Sequence, residues 1–188
     1  MKHPTIILAS ASPRRISLLR KIVRLFTVRK SSFKENNNRK LSPMRFTLYN
    51  ATQKARSIKA RNALIIGADT IVVVGRKVLG KPKSKREARE MLNHISGRNI
   101  RVITGICVVN SSTGRLCKDY EVTFLKVRKL SPDFIIQYVA SGEPMDKAGA
   151  FAIQGKGAAI KEKIDGDLYN VVGLPLAKVK SLLKKAQS

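Results

Sequence analysis

The stretch ALIIGADTIVVVGRKVLGKP, residues 63–82, decides how the rest of the chain is read. Its first six residues form an unbroken apolar run that reads as a buried strand ending at Asp69. Residues 70–74 read as a further strand, Gly75 as a turn, and 77–79 as a short returning strand. This sets a carboxylate at the edge of a sheet, with Lys81 just beyond the hairpin. Upstream, TIILA (5–9) reads as a first strand and SPRRISLLRKIV starts a helix over 13–25, with Ser12 as cap and Pro13 at the first helical position. FTVRKSSF (26–33) reads as a second strand leading to Glu35, and ENNNRKLSP as a polar loop. Ser42 and Pro43 open a helix with Leu48, Ala51, Ala55 and Ile58 on its apolar side. Downstream, Ser84 and Glu87 make a capping box for a helix over 85–95, its inner face Ala88, Met91, Leu92 and Ile95. A long hairpin over 101–127 follows, then a helix over 132–140 behind Ser131 and Pro132, and a last helix near 175–186. This order mixes helices and strands around an antiparallel hairpin, which argues against a purely doubly wound sheet and points to a mixed α/β fold.

The 188 residues predict one domain over 1–188 with no independent linker. No apolar run approaches the roughly 20 residues that span a bilayer, and the N-terminal apolar stretch is too short for a secretory signal, so the expectation is a cytoplasmic protein without a membrane partner. The formal net charge is +26, and residues 1–86 hold 22 Lys or Arg against two acids, Glu35 and Asp69. Such a balance suits an anionic partner, either a phosphorylated small molecule or nucleic acid, or else a basic solvated surface. With four Tyr, six Phe and no Trp, a base-stacking platform is poorly supplied.

Cys107 and Cys117 flank the turn NSSTG (110–114); pairing of Val109 with Arg115 would set the two cysteines opposite one another. Two packed free thiols are the expected state, since cytosolic thiols stay reduced. His3 and His94 are isolated, and no Cys/His group has zinc spacing.

Arg14 and Arg15 stand in the first turn of the opening helix, where partial positive charge favours acids. Either both point into water, at a cost of roughly 0.3–1 kcal/mol each, or an anion completes the helix end, with N–H groups and guanidinium forks on phosphate oxygens. Asp69 reads either as a cap or ion-pair partner, or as a general base and metal ligand. Lys81 in GKP and the GKG at 155–157 are each weak phosphate signals. Gln154 can hydrogen-bond a base edge or its own loop. Six glycines between Gly142 and Gly173 imply unusual backbone or close approach. Collectively these residues supply what triphosphate chemistry needs: cations against charge, acids for a metal ion, and a base to orient water.

Three runs, LASASPRRISLL, GADTIVVVGRKVLGKP with AREMLNHISGR, and YVASGEPMDKAGAFAIQGKGA with GDLYNVVGLPL, resemble the Maf family of nucleoside triphosphate pyrophosphatases over nearly the whole chain. The resemblance implies hydrolysis of a nucleoside triphosphate to monophosphate and pyrophosphate with a divalent cation, Mg²⁺ or Mn²⁺. It also implies a mixed sheet in two lobes around a cleft, similar to inosine triphosphatases, and a homodimer. Asp69 matches the family's proton acceptor. Ser10, Arg14, Arg15, Lys54 and Lys81 match its triphosphate-binding set, and Glu35 with Asp69 its metal-binding acids. Arg14, Thr70 and Gln154 match positions linked to substrate choice. The IQGKGA run resembles the branch acting on dTTP and UTP, with CTP or modified pyrimidine nucleotides as further substrates; a glutamine amide can both donate to and accept from the O4/N3–H edge of thymine or uracil. Lys34 stands where the family usually has a second acid, so weaker metal binding is expected; Phe151 and Ala152 replace Tyr-Gly, and Leu168 an aromatic residue. The alternative reading is a basic nucleic-acid-binding or cell-division regulatory protein with the same fold.

Overall fold

A computed structural model describes residues 4–34 and 41–187. The fold is mixed α/β: seven strands among the described residues join one sheet, in the order β2-β1-β3-β5-β6-β7 with β4 paired to β3. The strands are β1 (Thr5–Leu8), β2 (Thr27–Val28), β3 (Ala63–Val74), β4 (Lys77–Leu79), β5 (Asn99–Asn110), β6 (Leu116–Val127) and β7 (Lys161–Asp165). The helices are α1 (Pro13–Arg20), α2 (Pro43–Arg56), α3 (Lys85–Ile95), α4 (Pro132–Ala140), α5 (Leu168–Val172) and α6 (Leu176–Gln187). Pairing is parallel between β1 and both β2 and β3, and antiparallel in β3–β4 and β6–β7.

Packing divides the chain into two units. The first comprises residues up to Asp69, Thr104–Glu121, and from Val172 onward; the second comprises Thr70–Ile103 and Val122–Val171. In the first unit, alternation along the strands sorts side chains by face. Ile65 of β3 and Cys107 of β5 join Ala51, Ala55 and Ile58 of the α2 segment. Leu64, Ile66, Ile106 and Val108 pack with Leu18 and Leu19 of α1 and with Val179, Leu182 and Leu183 of α6. In the second unit, one cluster joins Val72, Val74, Val102 and Leu125 to Met91, Leu92 and Ile95 of α3 and to Tyr138 and Val139 of α4. Full burial of a Leu or Ile side chain is worth about 1.5–3 kcal/mol, and Leu92 and Ile95 are both fully buried.

Local chemistry explains the helix bounds. The Ser84 hydroxyl accepts from the Glu87 N–H at 3.1 Å, and the Glu87 carboxylate accepts from the Lys83 N–H at 2.6 Å, one residue before the usual capping-box partner. Ser131 caps α4 through the Phe134 N–H at 3.2 Å. Ser12 and Ser42 precede α1 and α2 without a side-chain cap bond.

Four expectations change. The strand ending at Asp69 and the strand over 70–74 are one continuous β3, so Asp69 lies mid-strand and not past a strand end. The opening helix stops at Arg20, because the Lys21 and Ile22 N–H groups turn back to the Leu18 and Leu19 carbonyls in a tightened last turn. The second strand contracts to Thr27–Val28 beside β1. The hairpin register is shifted by one: the Asn110 N–H donates to the Arg115 carbonyl at 2.9 Å. Cys107 and Cys117 therefore pack into clusters on opposite faces, and both are free thiols. The glycine-dense segment holds three 3₁₀ turns, over 143–146, 148–150 and 155–160, followed by β7 and α5.

Candidate active site

Gly67 and Asp69 lie two apart in β3 and so share a face. That face is covered by α2 at unusually short range. A Cβ on Gly67 would lie 2.0 Å from the Ala51 carbonyl oxygen, and one on Gly105 of β5 would lie 2.5 Å from the Thr47 carbonyl carbon. Only glycine permits this approach. The consequence is that Asn50 and Lys54, one helical turn apart on α2, reach the Asp69 carboxylate. Lys54 Nζ donates to Asp69 Oδ1 at 2.6 Å and Asn50 Nδ2 donates to Asp69 Oδ2 at 3.1 Å. Asp69 is 4% exposed and Asn50 fully buried. Asp69 thus has one neutral and one charged donor, each on a different oxygen, which fixes the plane of the carboxylate and leaves the other lone pairs open.

Asn50 Oδ1 is buried and makes no hydrogen bond among the described residues. Flipping the amide would aim this oxygen at the carboxylate, so Nδ2 is the atom that faces Asp69. The carboxylate oxygens of Asp69 are themselves hard donors of the kind Mg²⁺ or Mn²⁺ takes; Mg²⁺ commonly uses one or two carboxylates and completes its shell with phosphates and water. The Asp69 carboxylate fits one position of such a shell. No group of three His, Cys, Asp or Glu side chains gathers among the described residues, so substrate oxygens would have to complete the shell. Glu35, the other expected metal ligand, lies outside the described residues, as does His3.

The start of α1 is tied to the same strand. The Ala9 N–H donates to the Ile66 carbonyl at 2.8 Å, carrying the parallel ladder past Leu8 toward Ser10. Arg15 Nη1 donates to the Ala68 carbonyl and Nε to the Gly173 carbonyl, both at 2.9 Å. Two of its guanidinium donors are thus engaged by backbone, one of them on the residue before Asp69. Arg14 is half-buried. Ser10 is 8% exposed, and its hydroxyl accepts from the Ser12 N–H at 3.3 Å. The first turn of α1 contains no acidic residue.

Of the expected residues, Ser10, Arg14, Arg15, Lys54 and Asp69 belong to the first unit, and Thr70, Lys81 and Gln154 to the second. Thr70 is half-buried directly after Asp69; Lys81 and Gln154 are exposed. Asn50 was not legible as a site residue, although its spacing to Lys54 and the Gly67–Asp69 pair were the available signals. His94 is half-buried beside Arg98 and Lys77; burial, and then those cations, lower its pKa.

The profile of the Maf-like protein family matches residues 5–186. A dTTP/UTP pyrophosphatase of Methanosarcina barkeri is 45% identical over 184 residues, covering 96% of this chain and 93% of that protein. Proteins of the same description from Methanococcoides burtonii and Moorella thermoacetica are 42% and 46% identical, covering 96% and 95% of this chain and 94% and 93% of theirs. The structure of a HAM1 protein from Coxiella burnetii superposes with a TM-score of 0.54 at 16% identity, covering 97% of this chain and all of that one, and shares the fold. With nearly its full length matched, the chain belongs to the Maf-like protein family.

Proposed function

We propose that the protein is a nucleoside triphosphate pyrophosphatase that cleaves dTTP and UTP to the monophosphate and pyrophosphate. The observation that carries this reading is the buried Asp69 held on one oxygen by Lys54 and on the other by Asn50, in a chain more than 40% identical to proteins described as dTTP/UTP pyrophosphatases. A carboxylate so held keeps one orientation and can accept the proton of a water adding at the α–β phosphoanhydride, as pyrophosphate leaves. Lys54 offsets the negative charge that Asp69 and the phosphates would otherwise bring together. The α1 start, without acids and bearing Arg14, suits phosphate oxygens. Arg15 holds that helix start against Ala68 and Gly173. Asp69, with Glu35, would hold a divalent cation, which when bound would draw charge from the triphosphate. Gln154 is assigned to the pyrimidine edge, and Lys81 to the phosphates.

Pyrophosphate release from UTP, dTTP, CTP, GTP and ATP with Mg²⁺ or Mn²⁺ tests the reading. Turnover of UTP and dTTP above the purine nucleotides supports it; equal silence across all five refutes it.

A further inference from the structure

The second unit holds a carboxylate that the chemistry above does not use. Glu143 lies in the turn after α4, and its carboxylate is aimed at the backbone of the IQGKGA loop. Oε2 accepts from the Lys156 N–H at 3.2 Å and Oε1 from the Gly157 N–H at 3.1 Å. The Tyr138 hydroxyl donates to Oε1 at 3.3 Å and accepts from the Ala152 N–H at 3.2 Å. Tyr138 is itself 2% exposed and stacked on Phe134 at 5.6 Å. The loop is therefore fastened at both ends, at Ala152 through Tyr138 and at 156–157 through Glu143, with Gln154 between the two fastenings. Glycine is required where the loop closes: a Cβ on Gly157 would lie 2.6 Å from the Tyr138 hydroxyl and 2.6 Å from the Ala152 carbonyl. Gly155 adopts φ +63°, and a Cβ there would lie 3.1 Å from Glu143 Oε2.

We propose that Glu143, through its carboxylate on the Lys156 and Gly157 amides, is a positioning residue that fixes Gln154 for nucleobase selection. This rests on the reading that Gln154 meets the pyrimidine edge. An amide on a floating loop can present either its oxygen or its nitrogen, and so accommodates uracil and cytosine alike. Discrimination between them is sharper when the backbone that carries the amide is fixed, because the amide then meets the base edge from one direction. A carboxylate suits the task because it accepts from both amides at once; a glutamine in its place would accept from one and turn its own N–H₂ toward the other.

The test measures kcat and KM for UTP and CTP in the wild type, Gln154→Ala, Glu143→Gln, Glu143→Ala and the Glu143→Ala/Gln154→Ala double variant, with amide hydrogen exchange of the loop. In Glu143→Gln, the Lys156 and Gly157 amides are expected to exchange about tenfold faster or more, while α3 and β5 are unchanged. The UTP-to-CTP ratio of kcat/KM is expected to fall about tenfold or more in Glu143→Ala, mainly through KM for UTP. The double variant is expected to show no further fall, because both changes act through one group. General loss of folding would reduce both nucleotides together and leave the ratio alone. Unchanged loop exchange overturns the proposal, and so does an unchanged ratio in Glu143→Ala when Gln154→Ala shifts it. An unchanged ratio in Gln154→Ala instead refutes the base-edge reading, and the role of Glu143 in selection falls with it.

Discussion

Lys54 Nζ lies 2.6 Å from Asp69 Oδ1, and the two side chains are 12% and 6% exposed. Most of the coordination of Asp69 follows from that contact, because the lysine and Asn50 come from one helix laid flush on the strand by Gly67 and Gly105. A nearly buried ion pair of this kind destabilises strongly when one partner is removed, since the other charge is stranded.

Lys54→Met is therefore expected to cost about 3–5 kcal/mol of folding free energy, read by urea denaturation. Adding Asp69→Asn to it should recover part of that loss. A double variant as unstable as the sum of the two single variants would show that the pair is not coupled.

Gly67→Ala should destabilise by about 1–3 kcal/mol or more, because its methyl meets backbone and not a side chain that can rotate. It should also lower turnover, since α2 must lift and carries both donors to Asp69. The same stability and wild-type turnover would mean that α2 does not need this close approach.

Arg14 and Arg15 should separate. Saturating pyrophosphate is expected to raise the melting temperature of the wild type by ligand linkage. Arg14→Ala should remove most of that rise. Arg15→Ala should also lower the melting temperature without ligand, because it removes hydrogen bonds to Ala68 and Gly173 worth about 1.5–3 kcal/mol each when the donor is charged. Identical behaviour of the two variants would contradict the split.

Burial pushes the Cys107 thiol up to about 11. At pH 8 a chromogenic disulfide reagent should label Cys117 quickly and Cys107 only after unfolding. Because the unfolded thiol ionises at the lower pH, the contribution of Cys107 to stability is intact below about pH 9 and declines as the pH rises toward 11. Cys107→Ala should flatten that decline. Rapid labelling of both thiols in the folded protein, or a disulfide between them, would contradict the hairpin register.

The sequence revealed the regular elements where caps and periodicity agreed. Helices α3 and α4 have the predicted bounds because Ser84 and Ser131 fix their starts and an apolar stripe carries them inward. Asp69 was legible as one of two acids in an unusually basic stretch. Other features depended on tertiary contacts that local patterning does not encode. Asp69 sits mid-strand because Lys54 and Asn50, distant in sequence, make a buried carboxylate tolerable there. Asn50 was hidden as a polar residue on an apolar helix face. The cysteines were misregistered because the turn pairs Asn110 with Arg115, and a shift of one residue reverses the faces. The segment from 142 to 166 follows no period, so neither its 3₁₀ turns nor β7 could be read.

The measurement that bears most directly on the function is pyrophosphate release from UTP and dTTP by the wild type and by Asp69→Asn, with Mg²⁺ present. Loss of general-base help costs about 10²–10⁴-fold. The prediction is wild-type turnover of both nucleotides and a fall of that order in kcat for Asp69→Asn, with KM changed little. Wild-type turnover matched by Asp69→Asn would place the base elsewhere and contradict the role given to the Lys54–Asp69–Asn50 cluster.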